Sequence, residues 1–356
     1  MSDTAAILTQ GMFATPFAKT AHGLVRGPSR YRIVAVIDPT GAGHDAGELL
    51  DGRPRGIPVV ASLDALLAAG ASAPQWLVVG VATPGGVLPA DLRPVLREAL
   101  ARGIHVANGL HDLVGDDPAL AAAAAGSGAK IVDVRRPKHR RDLHFWSGAI
   151  ATVRAPRIAV LGTDCALGKR TTCQVIASAC RQRGLSAEMI YTGQTGWLQG
   201  TRFGFVLDAT PNDFVAGELE HAIVACDREL APDLILLEGQ SALRNPSGPC
   251  GAELLLSGGA RGVILQHAPA RRYFEDQEHL QHEIPSVASE VALIAMYGAR
   301  VLAIALNHEH LAAEEREAAR ARVERETGLP ACFPLLDDSA RLLAAIESHL
   351  AAERRR

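Results

Sequence analysis

The stretch Ile158 to Thr172, IAVLGTDCALGKRTT, carries the densest set of residues able to do chemistry. A short apolar run leads into a turn bracketed by Gly162 and Gly168, then Lys169, then Thr171 and Thr172 at a helix start. Strand, glycine-rich loop, Lys and hydroxyl in that order make a phosphate-binding loop. Glycines let the main-chain N–H groups curl around an anion, the helix N-terminus adds partial positive charge, and the Lys supplies a point charge. The candidate cofactor-binding residues are therefore Gly162, Thr163, Asp164, Cys165, Ala166, Leu167, Gly168, Lys169, Arg170, Thr171 and Thr172. The loop departs from the common pattern in two ways. Five residues separate its glycines instead of four, and Arg170 stands where a nucleotide hydrolase keeps the hydroxyl that holds Mg²⁺. Thr171 takes that role only if the helix starts one residue late; otherwise the loop grips phosphates without a metal. Cys165 sits where a helix N-terminus would activate a thiol, but no partnered His is evident, so it reads as a plain loop residue.

Further polar clusters follow apolar runs. Glu238 closes the aliphatic run Leu234 to Leu237, and a carboxylate there must be paired, hydrated or functional. Gln240 and Ser241 follow it directly. Asn212 and Asp213 open a helical pattern, where such pairs act either as caps or as ligands. Gln194 and Thr195 lie in a turn bracketed by Gly193 and Gly196, which allows close approach to a ligand. His267 ends another strand and is followed by Arg271 and Arg272. His308 and His310 flank Glu309, but no third ligand stands at metal spacing, so no metal site is expected.

The elements that must position these residues read as two α/β domains, 1–150 and 151–356. In the first, YRIVAVIDPTGAG, IPVVASLDALL, QWLVVGVATPGG and LREALARGIHVANGL alternate strands with helices, as in a Rossmann-like, doubly wound parallel sheet. Asp38 falls where such domains place a ribose-binding acid, yet no GxGxxG precedes it, so a structural or substrate-gating role is favoured over NAD binding. PKHRRDLHFWSGAIATVRAP, basic and Pro-flanked, reads as the domain junction, with Lys138, His139, Arg140 and Arg141 solvated. The second domain repeats the alternation around the phosphate loop. In open parallel sheets ligands bind at the carboxyl ends of the strands, and each polar cluster above follows a strand at that edge.

At 356 residues, with 48% hydrophobic content and a formal net charge of -3, the chain has no electrostatic pull toward nucleic acid. No apolar run reaches membrane-spanning length, and MSDTAAILTQ lacks the features of a signal peptide. Six scattered Cys without CxxC spacing read as reduced thiols. The expectation is a cytoplasmic α/β protein, assembled as a homo-oligomer.

Taken together, GTDCALGKRTT, TGQTGWLQG, PNDFVAGELEHAI, LLEGQSAL, VILQHAPAR and LNHE resemble a family long catalogued only as proteins of unknown function. Its described members include D-glutamate N-acetyltransferases of the DgcN type. GLHDLVGDDP and IVDVRRP extend the resemblance into the first half. It implies a Rossmann-like N-terminal domain, a P-loop C-terminal domain, and acetyl transfer from acetyl-CoA to the amino group of D-glutamate or a related D-amino acid. Coenzyme A carries phosphates suited to the loop, and direct transfer needs no hydrolytic Mg²⁺, which accounts for Arg170. Glu238 and Asp213 are candidate bases, and Gln194, Gln240 or main-chain N–H groups are candidate oxyanion donors. For the amino-acid substrate, Thr195, Asn212, Gln240, Ser241, His267 and Arg271 are candidate contacts, with Arg272, Arg202 and Arg244 as further cations for a dicarboxylate. The Gly-Thr-Asp start of the loop also resembles that of dethiobiotin synthetase. This keeps open an ATP–Mg²⁺-dependent ligase or kinase, and a non-catalytic nucleotide-binding regulatory module is the third reading.

Overall fold

The computed structural model describes residues 2–68, 73–337, 339–353 and 355. They form two compact units, Met1–Lys138 with Gly193–Thr201, and His139–Thr192 with Arg202–Arg356. Both are parallel α/β units, as the alternation in the sequence implies.

The first unit runs β1 (Thr4–Leu8), α1 (Lys19–Arg26), β2 (Arg32–Ile37), α2 (Ala46–Asp51), β3 (Val59–Val60) and α3 (Leu63–Ala68). It continues through β4 (Trp76–Val79), α4 (Leu92–Ala101), β5 (His105–Asn108), α5 (Pro118–Ser127) and β6 (Ile131–Asp133). The sheet order is β3-β2-β1-β4-β5-β6, with every pairing parallel. This is the Rossmann order, in which the chain reverses its direction of build between β1 and β4. β4, and β1 from Ala5 onward, are apolar and buried because both faces of the sheet are covered.

The second unit runs β7 (Arg157–Gly162), α6 (Lys169–Gln182) and β8 (Ala187–Tyr191). The short helix α7 (Gln194–Leu198) follows in sequence but belongs to the first unit. There Arg30 N–H donates to Leu198 O, the Arg30 guanidinium lies 4.1 Å over the Trp197 ring, and Gln199 donates to Gly23 O. The chain then returns through β9 (Phe203–Gly204), α8 (Asn212–Leu230), β10 (Leu234–Glu238), α9 (Ala252–Leu256) and β11 (Gly262–His267). It ends with α10 (Val287–Met296), β12 (Arg300–Leu306), α11 (Arg316–Thr327), β13 (Ala331–Cys332) and α12 (Ala340–Glu353). The sheet order is β13-β12-β11-β7-β10-β8-β9, which places β7 between β11 and β10.

The basic segment before β7 keeps His139, Arg140 and Arg141 in solvent, as expected, but the residues after them are tied down. Glu218 of α8 accepts from the His144 N–H and ring, and Glu220 accepts from Ser147 and from Ile150 N–H.

Asp38, just past β2, is fully buried. One carboxylate oxygen accepts from Thr9 Oγ1 and from the N–H groups of Gly11 and Phe13; the other accepts from Thr40 N–H and Oγ1. Burial pushes the carboxyl up, but the bonds from Thr40, Phe13 and Thr9 outweigh it and hold the pKa below its ordinary value. The acid therefore braces the β1–α1 loop, the structural role read from the missing GxGxxG. Asp38→Ala strands those N–H groups and should lower stability by about 2–4 kcal/mol. Chemical denaturation measures this, and a loss below about 0.5 kcal/mol would show that the loop does not rely on the carboxylate.

Candidate active site

The phosphate loop joins β7 to α6 at the centre of the second sheet. Its conformation needs left-handed backbone at Ala166 (φ 51) and Gly168 (φ 96), and α6 begins directly at Lys169. The helix does not start late, so Arg170 occupies the first turn immediately after the Lys, and Thr171 does not move into its place. Thr172 faces inward and donates to Gln266 Oε1 at 2.6 Å. From Asp164 to Thr171 no main-chain N–H donates to any of the described residues. A curved run of unused donors at a helix N-terminus is a ready acceptor site for an anion, so the loop fits the phosphates of a nucleotide or of coenzyme A.

The Lys169 side chain is buried and passes beside Gly162, where even a Cβ would come within 3.1 Å of its Nζ. Gly239, on the other side, would likewise crowd Lys169 Cδ at 3.2 Å. Its ammonium donates to Asp164 O at 2.6 Å and Ser241 O at 2.8 Å. Burial lowers the Lys169 pKa against the opposing pull of Cys165 and Asp164.

The Asp164 carboxylate points away from the loop interior. At 0% exposure it accepts from Asn245 Nδ2, Arg271 Nη1 and Glu275 N–H. Arg271 also donates to Cys165 O and Glu309, and pairs with Glu275. Burial opposes its charge, but Asp164, Glu275 and Glu309 more than compensate and raise its pKa. Its guanidinium is thus committed to bracing the loop. Asn307 adds a bond to Leu167 O.

Glu238 ends β10 beside the loop and is 5% exposed. Its Oε2 accepts from Thr192 N–H at 3.0 Å, and its Oε1 lies 3.8 Å from the Arg170 guanidinium. The Arg170 Nε is buried with no hydrogen-bond partner among the described residues. Gln240 donates to Thr192 O, while Thr192 Oγ1 donates to Glu238 O. Ser241 (φ 44) lies 3.4 Å from Cys165 Sγ. On the other flank, His267 ends β11 with its Nδ1 3.0 Å from Thr163 Oγ1.

The fold thus gathers the loop, Glu238, Gln240, Ser241, His267 and Arg271 at one strand edge. Asn212 and Asp213 sit exposed in the first turn of α8, where neither side chain caps the helix. Gln194 and Thr195 lie on α7 in the first unit. Sequence reasoning passed over Gln266, Asn245 and Glu275. Asn245 and Glu275 lie in irregular stretches after strands, where no periodicity marks them, and only their place after the carboxyl ends of β10 and β11 hinted at a role.

Comparisons with known proteins agree with this architecture. Residues 144–343 match the P-loop domain of DUF1611, a domain of unknown function, and residues 39–137 match its Rossmann-like N-terminal domain. The chain belongs to this family. A curated relative from Tritonibacter scottomollicae, named D-glutamate N-acetyltransferase, is 34% identical over 80% of this chain and 84% of its own length. A second of the same name, from a Pseudoalteromonas species, is 25% identical over 74% of this chain and 78% of its own. The crystal structure of a DUF1611 family protein from Anabaena variabilis matches with a TM-score of 0.88 and 31% identity, covering 97% of this chain and 99% of that one. As a member of this family the protein is an acyltransferase, an N-acetyltransferase.

His267 supplies a pH test of the site. Burial first, then Arg322 and Arg271, lower its pKa from 6.5 to about 4. The unfolded chain therefore takes up a proton between pH 6.5 and about 4 that the folded chain refuses. Stability is full above pH 6.5 and should fall as the pH drops through that window. Denaturation curves across it should show a shallower pH slope for His267→Gln than for the wild type, and equal slopes would mean that the imidazole titrates freely in the native state.

Proposed function

We propose that the protein transfers the acetyl group of acetyl-CoA to the amino group of D-glutamate or a close D-amino acid, acting in the cytoplasm as a homo-oligomer. The observation that carries this reading is the row of unused main-chain donors from Asp164 to Thr171 beside a buried Lys. The printed names of the relatives supply the acceptor. Acetyl-CoA would supply the thioester, and the loop with Lys169 would hold its diphosphate. Arg170, with a buried donor to spare, would meet a further ligand oxygen.

Glu238 is the base in this reading. It takes the proton from the incoming ammonium, so that the nitrogen lone pair attacks the acetyl carbon. The C–N bond forms first, giving a tetrahedral intermediate with a negative oxygen; its collapse breaks the C–S bond, and the leaving thiolate takes the second proton shed by the attacking nitrogen. Main-chain N–H groups not engaged by the diphosphate would stabilise the oxygen that gains charge. Gln240 is the side-chain alternative for that oxygen, though its amide already donates to Thr192 O. Asp213, exposed on α8, is the second candidate base.

Two measurements test the reading. The first is calorimetric titration with acetyl-CoA, CoA and ATP–Mg²⁺, which separates acetyl transfer from the ligase-like alternative. In it Lys169→Ala should cost about 2–3 kcal/mol of acetyl-CoA affinity, the worth of one charge-assisted contact. Unchanged affinity for every phosphate ligand would remove the loop from the mechanism.

The second is an acetyl-transfer assay in excess EDTA, where turnover should persist because Arg170 replaces the metal-binding hydroxyl. Under those conditions Glu238→Gln should lower kcat by roughly 10²–10⁴-fold while acetyl-CoA binding stays near wild type. A variant keeping more than about a tenth of its kcat points to Asp213 instead.

A further inference from the structure

At the amino ends of β1, β2 and β4 the first unit holds a cavity of about 330 Å³. That is the lower end of the roughly 300–1,000 Å³ usual for small-ligand sites. Its walls are Tyr31 just before β2, Trp76 opening β4, Val132 on β6 and Trp197 on α7, with the exposed Asp3 and Arg30 beside them. All of these belong to the first unit, and none comes from the phosphate loop or its strand edge. The rings are held by their own contacts. Tyr31 and Trp76 lie 5.3 Å apart, Trp76 meets His105 edge-on at 4.9 Å, and Trp76 Nε1 donates to Asp3 Oδ2 at 3.0 Å. Arg30 lies 4.1 Å over the Trp197 ring and donates from Nε to Trp197 O. Aromatic walls fixed in this way accept a flat apolar group by stacking and edge contacts.

The polar groups define the head that such a ring must carry. Asp3 Oδ1 and both Nη groups of Arg30 make no hydrogen bond to any of the described residues. Nor do Asp3 and Arg30 form an ion pair with each other, although both lie near the Tyr31 hydroxyl. Burial raises the Tyr31 pKa to about 12, while Arg30 pulls it down and Asp3 pushes it up. The hydroxyl therefore stays protonated and able to donate. It has no hydrogen-bond partner among the described residues, on a side chain only 6% exposed. Opposite charges held near one another but unpaired, beside a free donor, complement a zwitterion. A quaternary ammonium fits worse, because Arg30 repels it and already covers the Trp197 ring. A nucleotide would set its phosphates against Asp3 as well as Arg30.

We propose that this cavity binds an aromatic amino acid, its ring against Trp76, Trp197 and Val132, its carboxylate held by Arg30 and the Tyr31 hydroxyl, and its ammonium by Asp3 Oδ1. The site stands independently of the acetyl-transfer reading.

Two of the chain's three tryptophans line the cavity, so tryptophan fluorescence reports its occupancy. The full chain is titrated with L- and D-phenylalanine and with phenylpropanoate, phenethylamine and alanine, which lack the ammonium, the carboxylate and the ring in turn. AMP serves as the nucleotide probe. At least one phenylalanine enantiomer should bind more tightly than all the other probes. Asp3→Asn, which keeps an acceptor for Trp76 Nε1, should weaken phenylalanine binding on the order of tenfold without weakening phenylpropanoate. Arg30→Gln should weaken phenylalanine and phenylpropanoate to a similar degree without weakening phenethylamine. Both residues are exposed, so neither change should disturb the fold. The proposal is overturned if neither enantiomer binds, if alanine binds as tightly as phenylalanine, or if phenylalanine affinity is unaltered in both variants. AMP binding more tightly than phenylalanine, and weakened by Arg30→Gln alone, would make the cavity a nucleotide site and overturn it too.

Discussion

The buried carboxylate of Asp164 is the constraint on which the second unit's site depends. A charge with no solvent exposure is costly unless it is paired and hydrogen-bonded. Its partners come from separate stretches: Asn245 after β10, and Arg271 and the Glu275 N–H after β11. Arg271 extends the network to Glu309 after β12. Three loops are thereby locked to the phosphate loop through one acid. None of them has regular structure to hold it, so the geometry of the strand edge follows from these charge-assisted bonds.

Lys169 shows how the loop stores its cation. The side chain runs through the space left by Gly162 and Gly239, and its ammonium rests on two main-chain carbonyls. Those neutral acceptors offset only part of the lost hydration, which is why burial still lowers its pKa. An arriving phosphate would exchange a neutral acceptor for a charged one at nearly the same place. The cation is therefore already inside the site, with little rotamer entropy left to lose on binding.

Much of this was legible in the sequence because it rests on local signals. Aliphatic runs such as Leu234 to Leu237 mark buried parallel strands, and a Gly-rich turn ending in Lys marks the loop. What escaped was long-range pairing. Arg271 could be read as an available cation, but nothing near it in sequence shows that Asp164, more than a hundred residues earlier, takes up its guanidinium. Gln194 and Thr195 carried the same limit: their glycine-bracketed turn suggested a ligand loop. Only the bonds of Arg30 and Gln199 reveal that the segment Gly193–Thr201 packs into the first unit.

The two units place one buried Asp each at the loop that follows a central strand, with opposite results. In the first, Asp38 turns inward and accepts the N–H groups of Gly11 and Phe13, so the β1–α1 loop spends donors on its own protein. In the second, Asp164 is part of the loop and its carboxylate is held from outside by Asn245 and Arg271. The main-chain donors from Asp164 to Thr171 are left unused. The same fold class thus closes one loop to phosphates and opens the other, and the difference lies in which side of the loop the carboxylate faces. A dinucleotide fingerprint is absent where the loop is closed, and the Lys stands where it is open. The main-chain donors left over for an anion accordingly lie in the second unit.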